Sequence, residues 1–260
     1  MNPAISLQGV SKRFSSGPPI IGSLSLEIPH GQFVSIIGPS GCGKSTLLKL
    51  VAGLSTVTSG SVLVDGRTPA AARKHLSFIF QDATLLPWRT VRRNVALGLE
   101  LAGKPNSERD AIVLEKLRLV GLEQVAAMYP RQLSGGMKMR VSIARALASN
   151  PRVLLLDEPF AALDEMTRDR MNEELLRLRE QNDWTVLFVT HSVAEAVFLS
   201  DRILVLAPHP GRLAHDISLS LASPRNVQTR LSAEFDRTVA EVSRLLRRVE
   251  AAEPAQEVSL

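Results

Sequence analysis

Apolar positions along this chain follow two rhythms. In the first third the spacing is close to two. Ile5, Leu7 and Val10 alternate loosely with polar neighbours, and Ile20, Ile21, Leu24, Leu26 and Ile28 do so again after Gly17-Pro18-Pro19, which predicts two antiparallel strands. Phe33-Val34-Ser35-Ile36-Ile37 reads as a short buried strand, and Thr46 to Ala52 as a helix stopped by Gly53. Ser61-Val62-Leu63-Val64 with Asp65-Gly66 predicts another strand and a tight turn, and residues 75–80 a strand entering the core with Gln81 at its exit.

From residue 82 to 150 the rhythm lengthens to helical spacing, so a helical segment is expected as an insertion between strands of the main sheet. Ser107-Glu108-Arg109-Asp110 has the spacing of an N-cap, followed by Ala111, Ile112, Leu114, Leu117 and Val120 on one face before Gly121. Leu133-Ser134-Gly135-Gly136 opens a second helix whose buried side is Val141, Ile143, Ala144, Leu147 and Ala148. The continuous run Val153-Leu154-Leu155-Leu156 is the mark of a parallel strand covered on both faces. Beyond Asp164 a helix turns Met171, Leu175 and Leu178 inward and pairs Glu173 with Arg177 outside. Residues 184–189 and 202–207 are further core strands, Pro208-His209-Pro210-Gly211 is a turn, and 213–219 an edge hairpin. Residues 232–252 form an amphipathic helix with Phe235, Val239, Val242, Leu246 and Val249 on its apolar face, and the tail after Pro254 frays.

Composition narrows this little. In 260 residues an apolar fraction of 45% is ample for a sizeable core, and no apolar run has the length of a bilayer span. Residues 1–10 lack the order of a signal peptide, so a cytosolic chain is expected unless another protein holds it to a membrane. Cys42 alone allows neither an internal disulfide nor a multi-cysteine metal site. The net charge of +5 is dispersed, and nothing in it advertises nucleic-acid binding.

The chemistry begins at Gly38-Pro39-Ser40-Gly41-Cys42-Gly43-Lys44-Ser45, which fits the phosphate-cradling pattern G-x-x-x-x-G-K-[ST] at every fixed position and sits between a predicted strand and helix. Glycines let successive N–H groups turn inward around phosphate oxygens, Lys44 adds a positive charge, and Ser45 places a hydroxyl on Mg²⁺. Asp157 and Glu158 end a fully apolar strand, where two carboxylates require a cation or a reaction to justify them. His191 follows another core strand on the side where Lys44 and Asp157 emerge, and ligands of open parallel sheets bind outside those carboxyl ends. His30, His75, His209 and His215 read as structural. Phe14 is either a buried aromatic or a platform for a nucleotide base. Leu85-Leu86-Pro87-Trp88 is either core or a docking surface, with docking favoured. A second anion-binding helix start at Ser134-Gly135-Gly136 has no explanation within one chain.

Together, the residues 38–46, Gln81, Leu133-Ser134-Gly135-Gly136-Met137, Leu156-Asp157-Glu158-Pro159, Leu163-Asp164 and Thr190-His191 resemble the motif series of ABC-type ATPases, in the usual order over residues 5–219. Leu86-Pro87-Trp88-Arg89, Glu158-Pro159-Phe160 and Ala207-Pro208-His209-Pro210-Gly211-Arg212 are similar to the nitrate, sulfonate and taurine class of bacterial importers. Met137 stands where the family commonly has glutamine, and Phe14 where it often has tyrosine. The resemblance implies an α/β fold: a P-loop NTPase (RecA-like) core with an antiparallel β edge and an inserted α-helical subdomain. It implies an ATP-binding domain over residues 5–229, with the insertion at about 82–150, followed by a C-terminal helix and tail over 230–260.

It also implies ATP and Mg²⁺ as cofactors. Phe14, Gly38, Pro39, Ser40, Gly41, Cys42, Gly43, Lys44, Ser45, Thr46 and Asp164 would hold the nucleotide, and Ser134, Gly135 and Gly136 would close over it from a second copy facing head to tail. Ser45, Gln81 and Asp157 would hold the metal, and Glu158, His191, Lys44 and Gln81 would act in catalysis. The other implied partners are transmembrane permease subunits and, indirectly, a periplasmic or lipid-anchored solute-binding protein, with no nucleic acid and a peripheral position on the cytoplasmic face of the inner membrane. The rival reading is an ABC-type ATPase acting on DNA or ribosomes. It is disfavoured because the chain has neither the long coiled coils nor the paired ATPase domains usual in those proteins.

Overall fold

The structure, a computed structural model, describes residues 2–15, 17–161 and 163–251. β1 (Ile5–Arg13) and β2 (Pro19–Ile28) pair antiparallel with Ile5 opposite Ile28. β3 (Phe33–Ile37) runs into the phosphate loop and α1 (Lys44–Val51), and β4 (Ser59–Val64) returns to the free side of β1, completing an antiparallel sheet in the order β2-β1-β4. After α2 (Pro69–Ala72), β5 (Leu76–Ile79) enters the main sheet. His75 belongs to a short 3-10 turn rather than to the strand.

The helical insertion comprises α3 (Val91–Val95), α4 (Leu97–Leu101), α5 (Asn106–Leu119) and α6 (Gly135–Ala148). α5 corrects the expectation of an N-cap at Ser107. The helix starts at Asn106, directly behind Pro105, whose fixed φ suits a helix entry, so Ser107 is already in the first turn. Its buried stripe is Val113, Leu117 and Val120, with Leu114 facing out, because the i, i+4, i+7 spacing runs from Val113.

β6 (Val153–Asp157), α7 (Glu165–Glu180), β7 (Thr185–Val189), α8 (Val193–Leu199), β8 (Arg202–Ala207) and β9 (Arg212–Ser218) complete the main sheet, ordered β5-β6-β7-β3-β8-β9. β5, β6, β7, β3 and β8 run parallel to one another, and β9 pairs antiparallel with β8. On α7, Arg177 pairs with Glu174 at 2.6 Å instead of Glu173, since its guanidinium also donates to the Leu119 carbonyl at the end of α5. α9 (Val227–Arg230) and α10 (Ala233–Ala251) close the chain, and Phe235, Val242 and Val249 of α10 join the main core. The expected frayed tail lies outside the described residues.

Period-two alternation divides the sheet between two cores. Phe33 and Ile37, Leu154 and Leu156, and Val186 and Phe188 face the helical side. Val34 and Ile36, Val153 and Leu155, and Leu187 and Val189 face α1 and the antiparallel sheet. With both faces covered, these strands present polar groups to solvent at their ends, while the mid-strand hydroxyls of Ser35 and Ser77 are buried and hydrogen-bonded. Because they are parallel, the ends of β3, β5, β6 and β7 all open on one edge. Among the described residues no helix is long and apolar enough to cross a membrane.

Candidate nucleotide site

The phosphate loop leaves β3 at Ile37. Gly38, Gly41 and Gly43 have φ of +157°, +80° and +96°, conformations that side chains rarely tolerate. At Gly38 the space is closed as well, since a Cβ there would lie 2.5 Å from the Leu206 carbonyl oxygen and 2.9 Å from Cys42 Sγ. Gly43 is the N-cap of α1, so the free N–H groups of the first turn face the loop. Lys44 is buried and folds back over the loop, its Nζ donating to the carbonyls of Gly38 at 2.8 Å and Pro39 at 2.9 Å. Burial pushes the Cys42 thiol above its ordinary value, against the opposing charge of Lys44. It is therefore a neutral packing group.

Ser45 Oγ donates to Asp157 Oδ1 at 2.8 Å, joining the first turn of α1 to the end of β6. Burial raises the Asp157 carboxyl above its ordinary value; the Ser45 hydrogen bond and Lys49 oppose this, Glu158 adds to it, and Lys44 opposes it. Glu158 adopts φ of +46°, unusual for a residue with a side chain, and its N–H donates to the Val189 carbonyl of β7 at 2.9 Å. That conformation turns its carboxylate toward the end of β7, where His191 Nδ1 lies 3.2 Å from Glu158 Oε2. Lys44, Ser45, Asp157, Glu158 and His191 are thus drawn to one edge by three neighbouring strands. Gln81 is exposed beyond the end of β5, whose Ile79 pairs with Leu156 of β6, so it stands at the same edge.

Phe14 is 51% exposed just past the end of β1, with Lys12 Nζ 4.7 Å from its ring centroid. Of the two readings left open for it, the buried aromatic is excluded. Across the site's boundary, β2 touches the loop: a Cβ on Gly43 would meet Ile21 at 3.1 Å and Ile20 at 3.4 Å.

The residues Ser134, Gly135 and Gly136 have other neighbours. Ser134 caps α6, its Oγ accepting from the Met137 N–H at 3.3 Å, and Met137 itself packs on the core. Gly136 lies against Thr167 and Leu163, which flank Asp164. Asp164 caps α7 by accepting from the Thr167 N–H at 3.0 Å, and that bond holds its carboxyl below the ordinary range. Within one chain, the two glycine-rich helix starts therefore belong to different surroundings.

A buried carboxylate that the sequence pattern hides is Glu195. Its place three residues after Ser192 reads as an ordinary helix-start acid, yet it is 6% exposed and hydrogen-bonds Thr190, the residue before His191.

A strand-loop-helix phosphate site, a carboxylate pair on the adjoining strand and a separate capped Ser-Gly-Gly helix define an ABC-type ATPase. The profile of the ABC transporter family matches residues 21–161, and the chain belongs to that family, as an ATP-binding protein. It is 49% identical over 190 residues to the taurine import ATP-binding protein TauB of Rhizobium johnstonii, covering 73% of this chain and 72% of that one. It is 44% identical over 225 residues to the aliphatic sulfonates import ATP-binding protein SsuB of Bacillus cereus, covering 85% and 88%. Among solved structures, the dimeric post-hydrolysis state of the ATP-binding cassette MJ0796 bound to ADP and Pi superimposes with a TM-score of 0.75 at 35% identity, covering 83% of this chain and 99% of that one. The antiparallel sheet and helical insertion expected from the sequence are those of this cassette fold.

Proposed function

We propose that this chain hydrolyses ATP to energise import of a small oxyanionic solute of the taurine, sulfonate or nitrate kind. The observation that carries the reading is the convergence of Lys44, Ser45, Asp157, Glu158 and His191 on one edge of the sheet. The loop of residues 38–46 cradles the phosphates, with backbone N–H groups from every position but Pro39, and Lys44 exchanges its carbonyl partners for β and γ oxygens. Phe14 stacks on the base. Ser45 and Asp157 offer hard oxygen donors 2.8 Å apart, a set that fits Mg²⁺, with Gln81 nearby. When bound, Mg²⁺ neutralises phosphate charge. Glu158 orients and polarises the water that attacks the γ-phosphorus in line, as the bond to the β-phosphate oxygen breaks and ADP leaves. His191 contacts the γ-phosphate and is registered by Glu158.

The remaining half of the pocket comes from a second copy, whose Ser134, Gly135, Gly136 and Asp164 close over the nucleotide. Support for this is the dimeric MJ0796 cassette and the separation of the two helix starts within one chain. The permease docks on the helical insertion. Trp88, 71% exposed, borders a groove of about 700 Å³ lined also by Arg89, Arg92, Arg93, Glu100 and Arg109. Such a complex holds the chain on the cytoplasmic face of the inner membrane, with a solute-binding protein acting on the far side.

Reconstitution with its permease and binding protein in proteoliposomes tests the reading. ATP-dependent uptake of radiolabelled taurine, an alkanesulfonate or nitrate is expected. ATP hydrolysis indifferent to the permease, with retention on nucleic acid at moderate salt, would overturn it.

A further inference from the structure

Glu195 lies in the first turn of α8, four residues past His191. In a capping box its carboxylate would reach back to the N–H of Ser192. It does not. Ser192 Oγ accepts from the Glu195 N–H at 3.3 Å, but the Ser192 N–H donates instead to Thr190 Oγ1 at 3.0 Å. The Thr190 hydroxyl in turn donates to Glu195 Oε2 at 2.5 Å, and both side chains are buried. Thr190 is thereby held on both sides, and the backbone that carries His191 is closed into a small hydrogen-bonded ring.

The other oxygen, Glu195 Oε1, has no hydrogen-bond partner among the described residues and faces Arg168 Nε at 3.9 Å. Arg168 belongs to α7, and its Nη2 donates to the Leu163 carbonyl at 2.9 Å, one residue before Asp164. A second cation closes the cluster. Arg230, from the segment before α10, stacks 3.7 Å over the Phe198 ring of α8 and lies 3.1 Å from Asp169 Oδ1. Burial lowers its basicity, while the charges of Asp169, Glu173 and Glu195 raise it. A buried carboxylate with one facing cation and one hydroxyl partner is expensive to leave half-matched, so each member fixes the others.

We propose that Glu195 is a positioning residue for ATP hydrolysis, registering the loop that carries His191, through Thr190, against the loop that carries Asp164, through Arg168. The inference rests on the role given to His191 above. It adds that the two loops, which follow different strands, move as a unit, and that the C-terminal segment packs on that unit through Arg230. Neither Glu195 nor Thr190 touches nucleotide in this account.

The test uses the full chain and compares Thr190→Val, Thr190→Ser, Glu195→Gln, His191→Ala and the Glu195→Gln/His191→Ala pair. Melting temperature, affinity for a fluorescent ATP analogue and the split of kcat from KM are measured for each. Thr190→Val keeps shape without the hydroxyl and is expected to lower kcat roughly ten- to hundredfold with nucleotide affinity within twofold. Thr190→Ser keeps the hydroxyl and restores the parent rate. Glu195→Gln keeps an acceptor for the Thr190 hydroxyl but loses the charge that faces Arg168, so it lowers kcat less than Thr190→Val with nucleotide affinity again within twofold, and the double variant is no slower than His191→Ala, because both act through one group.

Full activity in Thr190→Val would overturn the proposal even if Glu195→Gln fails to fold, as would losses from Glu195→Gln and His191→Ala that multiply. If His191→Ala alone leaves kcat unchanged, the role of His191 fails first and takes this inference with it. If His191→Ala is slow while Thr190→Val is fast, the inference fails and the role of His191 stands.

Discussion

Ser45 Oγ donates to Asp157 Oδ1 at 2.8 Å, so the helix that begins at the phosphate loop and the strand that ends in two carboxylates are joined by a side-chain hydrogen bond. The bond places two oxygen donors of opposite origin in the sequence beside Lys44. It also leaves Asp157 in a buried position where its charge is disfavoured.

Asp157→Asn should therefore stabilise the ligand-free chain. The raised carboxyl binds a proton more tightly folded than unfolded, so the parent loses stability as pH rises from the ordinary value of 3.8 through the raised one. Asparagine keeps an acceptor for Ser45 and has no such slope. Below the ordinary value the two chains should melt alike, and at neutral pH the variant should melt higher. Adding ATP with Mg²⁺ should raise the melting temperature of the parent more than that of the variant. Scanning calorimetry across pH checks both.

Gly38→Ala should cost nucleotide affinity and leave the fold. The added carbon meets the carbonyl of Leu206, part of the β8 backbone that cannot swing away, and at φ of +157° the residue is strained as well. Relief moves the loop, and Lys44 loses an acceptor in the Gly38 carbonyl. Titration calorimetry should show affinity for ATP reduced tenfold or more, about 1.4 kcal/mol, with an unchanged circular dichroism spectrum.

Trp88→Ala should separate coupling from chemistry. The ring is exposed beside an arginine-lined groove, on the turn before α3, and belongs to none of the residues assigned to nucleotide or metal. Basal hydrolysis should remain within twofold of the parent, whereas binding to the permease should weaken roughly thirtyfold, about 2 kcal/mol, as removal of a central aromatic anchor does. Pull-down of the permease and its stimulation of ATPase activity measure the two effects.

What the sequence made legible follows from how local each signal is. The strand, glycine loop and helix at residues 33–51 are contiguous, and the apolar run ending at Asp157 announces a parallel strand by itself, so these parts of the site and sheet could be read directly. The start of α5 was misplaced because Ser107 looks like a cap, while Pro105 sets the entry. The partner of Arg177 depends on the Leu119 carbonyl, which only the packing of α5 on α7 brings close. Glu195 was illegible for the same reason: after Ser192 it matches a helix-start pattern, and its burial beside Arg168 is a tertiary fact. The 3.2 Å approach of His191 to Glu158 likewise depends on β6 and β7 being neighbours and on the left-handed backbone at Glu158.

Glu158→Gln tests the central claim most directly. The amide keeps the shape of the side chain but cannot take up a proton from water, and in the proposed arrangement the other half of the pocket still comes from a second copy. With ATP and Mg²⁺, size-exclusion chromatography with light scattering should find a stable dimer holding unhydrolysed ATP, and turnover should fall by a factor on the order of a hundred or more. A variant that hydrolyses ATP at the parent rate, or that binds ATP and stays monomeric, would contradict the account.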